Sequence, residues 1–198
     1  MVLVLTAYVT ARLNWMGWHA RAGTALLALV LFRLVWGFVG SDTARFTHFL
    51  TSPSVAARHL THLFRREPDA RIGHNPAGGW MVLLLLALLL GEILTGILTN
   101  NDIADAGPLT DVVPAPVANA ISDLHTQLWD ALLAAVALHL AAVAIYAVIK
   151  GHHLLRPMLT GRKQFPAPTT PPRTTSSALA LVVLAGSAVA AALLANFL

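Results

Sequence analysis

Six residues carry most of the chemistry available to this chain: His19, Arg33, Glu92, His125, Asp130 and His139. All lie in or at the ends of long apolar segments. Ionisable side chains there are costly and mark functional sites by default. His125 and His139 are fourteen residues apart (139 − 125) in one segment. At about 1.5 Å and 100° per residue, a helix sets them roughly 21 Å apart along its axis and some 40° apart in direction. Two imidazoles facing one way at two depths suit two haems stacked across a membrane, since helix bundles build cofactor sites from facing side chains. The sequence has no cysteine. That removes thiolate metal sites, iron–sulfur clusters and haem attached through C-x-x-C-H, so any haem is held non-covalently.

The elements that must position these residues are transmembrane helices. The chain has 198 residues, 57% hydrophobic and 11% charged, against about 25% charged in soluble domains. Four apolar segments reach the roughly 20 residues a spanning helix needs. They run from about Trp18 to Val39, Trp80 to Leu98, Leu124 to Ile149 and Ala178 to Ala195. Met1 to Ala11 is apolar but about half that length, and no basic n-region marks it as a secretory signal. It reads as the second half of a helix whose first half lies upstream. The expected fold is all-α, an integral membrane bundle. A four-helix haem-binding core with an incomplete first helix occupies residues 1–163. A Pro/Thr-rich linker spans 164–177, and an extra transmembrane helix spans 178–198.

Loop charge sets the orientation. Residues 41–74 hold Arg45, Arg58, Arg65, Arg66 and Arg71. Residues 150–177 hold Lys150, Arg156, Arg162, Lys163 and Arg173. Residues 100–123 hold Asp102, Asp105, Asp111 and Asp123 and no Lys or Arg. The positive-inside rule places the two basic loops in the cytoplasm and the acidic loop in the periplasm. The net charge of +4 therefore records topology, not nucleic-acid binding. Ser54 to Arg66 mixes Val55, Leu60, Leu63 and Phe64 with basic residues and reads as an interfacial amphipathic helix. Asn75-Pro76 reads as an N-cap followed by proline at the first helical position.

In this topology His19 and His125 open two helices that run in the same sense, so they share one outer depth where a haem iron can bridge them. Gly23, one turn below His19, and Ala134 and Ala135 leave room for a flat macrocycle. Arg12 and Arg21 are placed to pair with outer propionates. His139 lies deeper, with Arg33 at similar depth, and its partner is expected on a histidine upstream of Met1. Plainer roles stand beside these. A membrane histidine can simply hydrogen-bond a neighbouring helix, and Arg33 can snorkel to the cytoplasmic edge. Glu92 and Asp130 can be protonated or bonded locally; otherwise Glu92 can serve a proton or quinone site, and Asp130 can support a haem ligand or take part in proton transfer. His48, His59, His62, His74, His152 and His153 read as surface or interface histidines, the His152-His153 pair being a weak metal signal. Trp15, Trp18, Trp36 and Trp80 fit an aromatic belt.

Several stretches together resemble the bacterial cytochrome b561 and nickel-dependent hydrogenase b-type cytochrome family. These are Phe32-Arg33-Leu34-Val35-Trp36-Gly37-Phe38-Val39-Gly40 with Ala44-Arg45-Phe46, and Gly73-His74-Asn75-Pro76-Ala77-Gly78-Gly79-Trp80-Met81. Leu124-His125, Leu138-His139 and Thr160-Gly161-Arg162-Lys163 complete them. The resemblance implies four core helices and two b haems, each on two histidines. His19 and His125 would hold the outer haem, and His139 would be one ligand of the inner haem. It implies electron transfer between the quinone pool and a redox partner such as a hydrogenase, a molybdenum oxidoreductase or a c-type cytochrome. The chain would then be an electron-transfer subunit of the bacterial inner membrane, not a stand-alone enzyme. Two rival readings are a proton or metal transporter using Glu92 and Asp130, and a cofactor-free anchor subunit.

Overall fold

The computed structural model describes residues 1–63, 65, 72–99, 114–151, 154–163, 165 and 168–197. All regular structure among them is helical. In chain order the helices are α1 (Val2–Arg12), α2 (Met16–Val39), α3 (Phe46–Phe49), α4 (Pro53–Thr61), α5 (Pro76–Ile97), α6 (Ala115–Ile145), α7 (Leu155–Thr160) and α8 (Ser177–Phe197). Four segments are long and apolar enough to cross a membrane: Met16–Val39, Pro76–Ile97, Ala115–Lys150 and Ser177–Ala195. They coincide with the four apolar runs of the sequence. The chain is a multi-pass membrane protein. The acidic residues Asp102, Asp105 and Asp111, together with Phe64, Arg66, Arg71, His152 and His153, lie outside the described residues.

The third span starts nine residues earlier than its apolar run (124 − 115). Helix α6 carries Asn119, Ser122 and Asp123 in its first turns. Apolarity marks the edge of the lipid, whereas backbone hydrogen bonding continues the helix past it. At its far end α6 widens into a π-helical turn, Tyr146–Lys150, closed by left-handed Gly151 (φ 72°). Helix α5 begins as its sequence signals: Asn75 Oδ1 accepts the Gly78 N–H at 2.7 Å, and Pro76 occupies the first helical position, where a missing N–H costs nothing. Between α1 and α2, Asn14 takes a positive φ of 58°, a conformation that asparagine tolerates better than most residues.

The chain divides into two compact units. The first comprises residues 1–36, 86–132 and 176–198. Its core is formed by Leu27 and Val30 of α2, Ile93 of α5 and Ala191 of α8, flanked by Leu34, Leu89, Ile97 and Leu194. Helix α8 therefore packs into this core. Ser187 and Ala191 are buried, and small residues one turn apart allow close helix approach in lipid. Tyr8 stacks on Trp129 with ring centres 4.8 Å apart.

The second unit comprises residues 37–85 and 133–175. Here Phe46 and Phe49 are buried and form an aromatic run with Phe38 and His74. A side chain at position 37 would collide with the Phe46 ring, which explains Gly37. Helix α4 ends at Thr61, shorter than the Ser54 to Arg66 expectation. It is held by His59, whose Nε2 lies 2.6 Å from the Tyr146 hydroxyl. His59 is thus half-buried and held against Tyr146. The end of the Pro/Thr-rich stretch is fastened too. Arg173 N–H donates to Asp42 Oδ2 at 3.0 Å, Asp42 N–H donates to the Arg173 carbonyl at 3.1 Å, and Thr175 N–H donates to Ser41 Oγ at 3.0 Å. Phe38 and Val148 are 69% and 77% exposed; on spanning helices such side chains face lipid, which is as apolar as they are.

Candidate haem site

The first unit brings His19 and His125 together. His19 lies one turn into α2, and its Nδ1 is 2.9 Å from the Ala7 carbonyl of α1. His125, on α6, has Nδ1 2.9 Å from the Glu92 carbonyl of α5 and 3.1 Å from Thr95 Oγ1. A carbonyl can only accept, so Nδ1 carries the proton on both rings and Nε2 keeps its lone pair. Metal-binding imidazoles are held this way, with the non-ligating N–H donated to a carbonyl that fixes tautomer and direction.

The two ring centres are 6.3 Å apart and their planes stand at 89°. With metal–nitrogen bonds of about 2 Å on either side of one ion and about 1 Å more to each ring centre, two axial imidazoles are separated by roughly 6 Å. Space is prepared beside them. A Cβ on Gly96 would stand 3.0 Å from His125 Cε1, whereas one on Gly23 would meet nothing within 4 Å. Glu92 Oε1 lies 3.6 Å from His125 Nε2, beyond hydrogen-bonding reach. Glu92 Oε2 is buried and makes no hydrogen bond. The carboxylate thus leaves one buried oxygen without a donor, close to the Nε2 edge of His125.

A sequence profile described as prokaryotic cytochrome b561 matches residues 1–161. The chain belongs to the prokaryotic cytochrome b561 family. It is a membrane b-type cytochrome that works in electron transfer. No curated protein and no solved structure gives a match. The residues of the first unit fit a b haem: a pair of imidazoles at the right separation, each with its Nδ1 proton engaged, and open space at Gly23 one turn from His19. Among the described residues no three His, Cys, Asp or Glu side chains converge. A b haem would be held by His19 and His125 alone, with no third protein donor required.

The remaining sequence candidates lie elsewhere in the cytochrome. His139 is in the second unit, half-buried, with no hydrogen bond or ion pair among the described residues. Arg21 is exposed, its guanidinium 4.9 Å from the Trp18 ring centre. Arg12 lies 6.0 Å over Tyr8. Arg33 is half-buried on α2, and Asp130 is exposed on α6. Sequence reasoning missed the partners of the two ring N–H groups, Ala7 and Glu92, because both act through backbone oxygen and any residue type supplies one. Thr95 had a weak signal, a polar side chain one turn from Glu92 in an otherwise apolar helix.

Proposed function

We propose that His19 and His125 are the axial ligands of one b haem, through which this cytochrome passes single electrons between the quinone pool and a redox partner protein. The observation that supports it most is the pairing itself: two imidazoles 6.3 Å apart between ring centres, each with Nδ1 turned to a carbonyl. A bound haem would supply a one-electron redox couple. The chain's own residues do the rest. Ala7 and Glu92 hold the ring protons through their carbonyls, Gly96 lets the His125 ring pack against α5, and Gly23 leaves open space one turn from His19. Arg21 is offered to the propionates of this haem. His139 and Arg33 are offered to a second, inner haem, whose other ligand a histidine ahead of Met1 would supply.

The remaining assignments follow from charge. The basic segments 41–74 and 150–177 face the cytoplasm of a bacterial inner membrane, and the acidic segment 100–123 faces the periplasm. The partner, a hydrogenase, a molybdenum oxidoreductase or a c-type cytochrome, docks on the acidic side. Residues 1–163 form the cytochrome domain, 164–177 the linker and 178–198 the added helix.

The test is a reduced-minus-oxidised visible spectrum of detergent-purified protein with haem quantification. Sharp bands of a bis-histidine b haem are expected, lost in His19→Ala and in His125→Ala. Full six-coordinate spectra in both variants would defeat the assignment.

A further inference from the structure

Two threonines repeat one arrangement in separate helices. In α1, the Thr10 hydroxyl donates to the Thr6 carbonyl at 2.7 Å and the Ala7 carbonyl at 3.0 Å. In α5, the Thr95 hydroxyl donates to the Gly91 carbonyl at 2.7 Å and the Glu92 carbonyl at 3.0 Å. In both cases the carbonyl three residues back is the one that receives an imidazole Nδ1–H, from His19 onto Ala7 and from His125 onto Glu92. Thr10 is buried, 6% exposed, in a helix whose other residues are half-buried or exposed. Thr24 also bonds back to the carbonyl one turn earlier, that of Ala20, but among the described residues no imidazole meets that carbonyl.

The physical reason for the pairing is the carbonyl. Inside a helix a backbone oxygen is aimed at the N–H four residues on, and a side chain outside the helix meets it obliquely. A threonine that bonds back onto its own helix competes with that N–H and bends the helix locally. The hydroxyl shares that oxygen with the donor from the neighbouring helix and so helps to fix its direction. Polar atoms that donate the spare ring N–H of a metal-binding histidine into a fixed acceptor govern ligand direction and basicity.

We propose that Thr10 and Thr95 are paired positioning residues, whose hydroxyls hold the Ala7 and Glu92 carbonyls where they receive the Nδ1–H of His19 and His125. This rests on the reading of the two histidines as the ligands of one haem. Thr10 acts through the Ala7 carbonyl alone, whereas Thr95 acts through the Glu92 carbonyl and also lies 3.1 Å from His125 Nδ1. What the two sites share is a threonine hydroxyl and an imidazole Nδ1–H that meet on one carbonyl oxygen.

The test uses the full chain purified with haem, in wild-type form and as Thr10→Val, Thr95→Val, Thr10→Ser, Thr95→Ser and Thr24→Val. Valine keeps the shape and deletes the hydroxyl, whereas serine keeps the hydroxyl. The readouts are the rate of haem release to excess apomyoglobin and the low-spin g values of the ferric protein. Each valine variant is expected to bind haem about 10-fold more weakly, within the range known for such outer contacts, and to shift its g values. The serine variants are expected to restore both readouts, and Thr24→Val to match wild type. Valine variants indistinguishable from Thr24→Val overturn the proposal, as do serine variants that lose haem like the valines. If a valine variant does not insert, the Nδ1–H hyperfine couplings of the unmodified protein decide: a ring proton that is not hydrogen-bonded, on either histidine, overturns it. Retention of a six-coordinate spectrum in His19→Ala and His125→Ala defeats the underlying reading and this one together. Loss of haem there with unaltered valine variants defeats this one alone.

Discussion

Replacing Gly96 by alanine adds one methyl group at the point where α5 touches the His125 ring. Its Cβ would stand 3.0 Å from Cε1, 3.5 Å from Nδ1 and 3.7 Å from Nε2. Unstrained carbon contacts lie at about 3.5–4.0 Å, so the ring must retreat by roughly 0.5–1 Å. The Nδ1 bond to the Glu92 carbonyl starts at 2.9 Å. Its acceptor is on the same helix as the new methyl, so the retreat lengthens it beyond the ~3.2 Å limit of a good N–H···O bond. A functional site tolerates displacements of about 0.5 Å. The expected result is a 10- to 100-fold loss of haem affinity, or ~1.4–2.8 kcal/mol. The helix itself gains, since alanine is favoured over glycine by about 1 kcal/mol. Fold and cofactor therefore move in opposite directions, which separates this effect from misfolding. The assay is haem content per chain and release to apomyoglobin, alongside thermal unfolding of the haem-free protein. Gly186→Ala is the control, because nothing lies within 4 Å of its Cβ. Wild-type haem retention in Gly96→Ala would refute the claim that His125 is held against α5 as a ligand.

Gly23→Leu should leave the haem-free fold intact, because its Cβ meets nothing within 4 Å, yet reduce haem content severalfold if the macrocycle lies on that turn; equal haem content would exclude that placement. Ala191→Leu overfills a core position with 0% exposure and should cost about 1–3 kcal/mol, read as earlier thermal unfolding with an unchanged spectrum per bound haem. Tyr146→Phe removes the 2.6 Å contact to His59, worth ~0.5–1.5 kcal/mol. Trypsin should then cleave faster at exposed Arg58 of α4, and an unchanged cleavage rate would show that the hydrogen bond does not hold α4 down.

The spanning helices were legible because lipid imposes a length and an apolarity that a sequence states directly. The common depth of His19 and His125 was legible too, from loop charge and helix sense, and the 6.3 Å separation of their rings agrees with it. The Asn75 cap was readable from two residues. What remained hidden depends on backbone atoms and on neighbours remote in sequence. Any residue offers a carbonyl, so nothing marked Ala7 as the acceptor for His19. Glu92 drew notice for its carboxylate, whereas its backbone oxygen makes the contact. The π-helical turn at Tyr146–Lys150 leaves no periodic trace in so apolar a run. Helix α8 was visible as a span, but its packing on α2 and α5 followed only from which faces bury Ala191.

That packing has a consequence in time. Synthesis proceeds at about 5–20 residues per second. Ser177, the first residue of α8, follows Ile97, the last of α5, by eighty residues (177 − 97), so roughly 4–16 s separate their appearance. During that interval the side of the core that Ala191 will close, built from Leu27, Val30 and Ile93, is faced by lipid acyl chains. The nascent cytochrome therefore passes through a stage in which α2 and α5 are already inserted and the lock on their outer side has yet to be made. Any factor that must reach those helices during biogenesis has a window of seconds, and the arrival of α8 shuts it.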